Sequence, residues 1–128
     1  MASQDTTRGD PRADTTGSTV LFVDDEPELL DLYEAFCDPE YTTRTATSGE
    51  KALEAFGPDV DLMFVDRRMP GLSGEAVVEE IREQGYQTPV VFISAVDPDA
   101  PPSVDHEAYL TKPVSREQIQ ANTAQQLE

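Results

Sequence analysis

TVLFVDDEPELLDLY, residues Thr19 to Tyr33, decides the fold. Val20 to Val23 form an unbroken apolar run, the mark of a strand covered on both faces. Pro27 suits the first turn of a helix, where its missing N–H would have no partner anyway. Leu29, Leu30, Tyr33 and Phe36 then recur at spacings that share one helical face. Between strand and helix stand Asp24, Asp25 and Glu26. Three acids that repel one another and are costly to dehydrate close the mouth of a buried strand, a placement that a bound cation would reward.

The same alternation continues outward. YTTRTA is β-branched and half polar, an edge or exposed strand. TSGEKALEAFG offers Thr47 with Glu50 as a capping box, a buried face of Ala52, Leu53 and Phe56, and Gly57 as the stop. VDLMFVD is a buried strand ending on Asp66. MPGLSG is a loop with turn glycines Gly71 and Gly74, and Ser73 caps a helix that packs Val77, Val78 and Ile81 and stops at Gly85. TPVVFIS is another buried strand, EAYL a short last one before TKP, and SREQIQANTAQQLE a polar final helix. Near-continuous apolar strands alternating with helices imply an α/β, doubly wound parallel sheet joined by right-handed crossovers.

The 128 residues match one domain. Residues 1–18 carry almost nothing apolar and read as a flexible N-terminal tail, leaving 19–128 as the folded domain. With 9 Lys and Arg against 26 Asp and Glu, the formal net charge is −17, which repels nucleic-acid phosphates and anionic membranes. Most of that charge reads as surface solvation. The single Cys37 fits the apolar face of a helix and allows no internal disulfide, which with the absence of a signal-peptide pattern or a membrane-length apolar run suggests a cytoplasmic protein. His106 has no second His or Cys beside it and reads as a surface residue.

In an open parallel sheet, ligands bind beyond the carboxyl ends of the strands, where the strand order reverses. Asp24, Asp25, Asp66, Ser94 and Lys112 all stand at such ends. Mg2+ suits oxygen ligands of this kind and is commonly held by one or two carboxylates.

The four segments VDDEP, FVDRRMPGLSG, VVFISA and YLTKP, in this order, resemble the response-regulator receiver domain (CheY-like) of two-component signalling. The wording DRRMPGLSG with SAVDPDA is also similar to haloarchaeal HalX-type regulators. The resemblance implies a five-stranded flavodoxin-like sheet of order 2-1-3-4-5. It implies Asp66 as phosphoacceptor, and Asp24, Asp25, Asp66 and the backbone carbonyl of Arg68 as ligands of Mg2+ or Mn2+. Lys112 would contact the phosphoryl group, Ser94 would be the switch hydroxyl and Tyr109 the switch aromatic. A histidine kinase is the implied phosphodonor and a downstream output domain or protein the implied receiver of the signal, with the chain a monomer or weak dimer. It would assist its own phosphorylation and dephosphorylation rather than act as an enzyme on a separate substrate.

Between the last two strands a receiver normally carries a helix. AVDPDAPPSVDHEA holds Pro98, Pro101 and Pro102, so a degenerate or missing fourth helix is expected. Three other functions compete. A pseudo-receiver would bind partners without phosphorylation. A Mg2+-dependent aspartyl phosphatase would place a second Asp where Arg68 stands. A dinucleotide-binding module would want a glycine-rich turn where VDDEPE lies.

Overall fold

A computed structural model describes residues 17–95 and 104–127. Five strands, β1 (Thr19–Val23), β2 (Thr42–Ala46), β3 (Val60–Asp66), β4 (Val90–Ser94) and β5 (Ala108–Thr111), alternate with helices α1 (Pro27–Phe36), α2 (Gly49–Ala55), α3 (Gly74–Glu83) and α4 (Arg116–Leu127). The sheet is parallel throughout and runs β2-β1-β3-β4-β5, as expected. Most of the segment expected to lack a regular helix, residues 96–103, lies outside the described residues, as does the tail through residue 16. Gly17 and Ser18 are tied in: Gly17 N–H donates to the Glu40 carbonyl, and Ser18 accepts from Thr42.

Strand alternation sorts the apolar side chains into two cores. Leu21, Val23, Met63, Val65 and Phe92 face α2 and α3, where Ala52, Val77, Val78 and Ile81 meet them. Val20, Phe22, Leu62, Phe64, Val91 and Ile93 face α1 and α4, where Leu30, Tyr33 and Ile119 meet them. Each of the larger of these buried side chains, from Val up to Phe, stabilises the fold by about 1.5–3 kcal/mol. Phe22 sits at the centre of its face, stacked on Phe64 at 5.1 Å and tilted against Tyr33 at 5.8 Å. Cys37 is buried, as expected.

Local details differ from the sequence expectations in three places. Ser48, not Thr47, caps α2, its hydroxyl accepting from Lys51 N–H at 3.1 Å, because the helix begins one residue later than the capping-box spacing required. Gly74 is no turn glycine. It is the first residue of α3, and a Cβ there would collide with the Asp66 carbonyl oxygen and lie 2.9 Å from Val65 Cγ1. His106 is only half exposed, since its ring meets Phe92 edge-on at 5.3 Å. Gly71, in contrast, does turn the chain, with φ of +77°. Among the described residues no helix is long and apolar enough to cross a membrane.

Candidate functional site

The sheet itself places the site. Beyond the strand ends the ladder continues by one bond on three segments: Asp24 N–H donates to the Ala46 carbonyl at 3.1 Å, Arg67 N–H to Ile93 at 2.8 Å, and Lys112 N–H to Ser94 at 2.8 Å. Asp24, Asp66 and Lys112 are therefore fixed by backbone, and their side chains meet. Lys112 Nζ lies 3.0 Å from Asp24 Oδ2, 3.4 Å from Asp66 Oδ2 and 3.9 Å from Glu26 Oε2. Asp24 is wholly buried and Asp66 is 3% exposed.

Two buried carboxylates sharing one ammonium is an unbalanced arrangement. Burial first, and the charge of Asp24 second, push the Asp66 carboxyl up to about 6, against the pull of Lys112 and of the Arg68 N–H that donates to Asp66 Oδ1 at 3.2 Å. Burial alone would lower the Lys112 pKa, but the hydrogen bond and charge of Asp24, followed by the charge of Asp66, raise it overall. Lys112 thus stays protonated and holds the two acids together.

Asp24 Oδ1 accepts from Glu26 N–H at 2.9 Å, which turns the chain from β1 into α1 in place of a side-chain cap on that helix. Carboxylate oxygens of Asp24, Asp25 and Glu26 lie within 4.8 Å of one another. Asp24 Oδ2 is buried and faces the single charge of Lys112, whose Nζ lies 3.0 Å away. A buried carboxylate oxygen beside two further acids is what a hard divalent cation requires, and the donor set fits one. Glu26 joins this group, as the run of three acids suggests, although the family resemblance assigns it no role. Asp66 meets the group through Lys112, and Arg68 reaches the site through its backbone while remaining exposed.

Ser94 closes β4, 1% exposed, with a buried hydroxyl that has no hydrogen-bond partner among the described residues. Tyr109 lies on β5 opposite Phe92 and is half-buried. Three contributors were missed by sequence reasoning. Gly74 lets α3 start directly against the Asp66 backbone. The Tyr33 phenol, from α1, is buried near the acids, and burial followed by the charge of Asp24 pushes it up to about 12. Arg67, one residue after Asp66, bonds Glu75 and stands over the Tyr109 ring.

The response regulator receiver domain model matches residues 20–124, and the chain belongs to that family. A Haloferax volcanii protein named "Putative transcriptional regulator" is 37% identical over 121 residues, covering 93% of this chain and 21% of that protein. The chain therefore spans about a fifth of that haloarchaeal relative's length. The Vibrio cholerae chemotaxis protein CheY4 superposes with a TM-score of 0.71 at 25% identity, covering 88% of this chain and 99% of that one. The response regulator TrrA of Thermotoga maritima, solved in complex with Mg(2+)-BeF, gives a TM-score of 0.70 at 31% identity, with 86% of this chain and 99% of that one covered.

Proposed function

We propose that Asp66 accepts a phosphoryl group from a histidine kinase in a Mg2+-dependent reaction, and that this switches a signalling surface. The observation that carries the reading is the meeting of Asp24, Asp66 and Lys112 within ion-pair distance at the carboxyl edge of the sheet. The Asp66 carboxylate attacks the phosphorus in line. The new P–O bond forms as the bond from phosphorus to the donor imidazole breaks, giving an aspartyl phosphate. A carboxyl that titrates near 6 is largely ionised at neutral pH and so remains a nucleophile. Lys112 moves from carboxylate to phosphoryl oxygen as charge shifts there. The unsatisfied Ser94 hydroxyl is a ready donor to a phosphoryl oxygen, and Tyr109 is the aromatic that would follow it.

Asp24 and Asp25, with Glu26 beside them, are the residues that would hold Mg2+ or Mn2+, and the ion supplies neutralisation of the phosphoryl oxygens. The carbonyl of Arg68 completes that set in the family pattern. Arg68 in place of a second Asp also supports a phosphoacceptor rather than an enzyme acting on a separate substrate. Output through a further domain or protein, and a cytoplasmic setting, belong to the same proposal.

Incubation with Mg2+ and acetyl phosphate, followed by intact mass measurement, tests it. One phosphoryl adduct is expected, absent in Asp66→Asn and in chelator. An unmodified wild-type mass, where a control receiver reacts, refutes it.

A further inference from the structure

Arg67 plays no part in the acid cluster or in the transfer step, yet it is tightly held. Its N–H donates to the Ile93 carbonyl at 2.8 Å, which fixes where its side chain begins. Glu75, in the first turn of α3, grips the guanidinium on two edges, Nε to Oε1 at 3.2 Å and Nη2 to Oε2 at 3.2 Å. The gripped group is only 11% exposed, and its central carbon lies 5.9 Å from the centroid of the Tyr109 ring, over the face. A planar cation restrained on two edges loses little freedom by resting on an aromatic face, so the contact is pre-organised.

The Tyr109 hydroxyl is buried, and Arg67 is the cation that stands beside it. A phenol held away from solvent costs free energy unless a polar or charged neighbour offsets it, and the guanidinium is placed to do so. Glu75 first, and Tyr109 second, hold the Arg67 pKa above its ordinary value, so the cation is permanent.

The geometry points to Arg67, clamped by Glu75, as the positioning residue that keeps the Tyr109 ring inward and ties that placement to the backbone carrying Asp66. The inference deepens the switching role proposed for Tyr109. Movement of the chain just after Asp66 would loosen the grip on the ring, and release of the ring would free the residue next to the phosphoacceptor. No new contact has to form for the two to be coupled. The clamp joins three elements: the end of β3, the start of α3 and the middle of β5.

The test uses unphosphorylated, metal-free protein, so its failure is separate from any failure of Asp66 to accept phosphate. The full chain is labelled with meta-fluorotyrosine at its 4 tyrosines, and the Tyr109 fluorine signal is identified by its loss in Tyr109→Phe. In Arg67→Ala that signal is expected to shift. Its relaxation by a soluble paramagnetic agent should rise about threefold, the population change that loss of one such cation–π contact supports. Glu75→Gln, which cannot accept on both edges, should give an intermediate effect, and the signals of Tyr33, Tyr41 and Tyr86 should stay in place. A Tyr109 signal unmoved in Arg67→Ala overturns the inference. So does a common movement of all the tyrosine signals, which would mean general loosening rather than a specific clamp.

Discussion

Replacing Asp66 by Asn should stabilise the metal-free protein, although it removes the proposed phosphoacceptor. Asp66 is 3% exposed, and burial together with the Asp24 charge raises its carboxyl from 3.8 to about 6. That difference is worth about 3 kcal/mol between protonation states, carried as a penalty by the folded protein whenever the group is ionised. Asn keeps the shape and can still accept from Arg68 N–H, but its amide faces Lys112 less favourably, so about 2 kcal/mol of gain is expected, a Tm several degrees higher. The sign follows from linkage. A carboxyl whose folded pKa is raised costs most above that pKa. As pH falls through about 6 the folded wild type takes up a proton before the unfolded chain does, and it recovers stability until about pH 3, below the unfolded value of 3.8, where both forms are protonated. Urea unfolding followed by circular dichroism in chelator, from about pH 8 to about pH 3, should show the advantage of Asn at its largest at the alkaline end and lost at the acid end. An Asn variant less stable than wild type at about pH 8, or a gap independent of pH, refutes the reasoning.

Lys112→Ala leaves Asp24 and Asp66 buried without their shared counter-charge and should lower metal-free stability by about 3 kcal/mol, with Mg2+ restoring part of it in thermal melts. Gly74→Ala adds a Cβ that strikes the Asp66 carbonyl oxygen. That clash should outweigh the roughly 1 kcal/mol helix-propensity gain, for a net loss of about 1–3 kcal/mol in urea unfolding. Tyr33→Phe removes a buried hydroxyl that has no partner among the described residues, so stability should be unchanged or rise by about 1 kcal/mol, and a clear loss would expose a hydrogen bond that the structure does not show.

Much of this was legible in the chain because the relevant signals are local. Val20 to Val23, Val90 to Ile93 and the stretch from Leu62 to Val65 are apolar at every position, which only a strand covered on both faces tolerates. Acids and a lysine placed just past such runs can go nowhere but the carboxyl edge. The details that escaped depend on what lies across space. Thr47 and Ser48 are adjacent hydroxyls, and only the starting angle of α2 chooses between them. Gly74 reads as a loop glycine until the helix it opens is seen lying on the Asp66 backbone. Arg67 meets Glu75 and Tyr109 only through the fold, because both come from other elements. His106 gains its aromatic neighbour Phe92 only through pairing of the last two strands.

The bonds that carry Asp24, Arg67 and Lys112 one step past the strands make the pocket floor an extension of the sheet. Side chains on such a surface alternate up and down, so sliding any one strand by a single residue would swing its charged group to the opposite side. Insertions or deletions inside these strands should therefore abolish the pocket outright, whereas changes of length in the connections at the far edge should leave it whole. For anyone grafting this domain onto other proteins, the pairing of the strands is the part to keep unaltered.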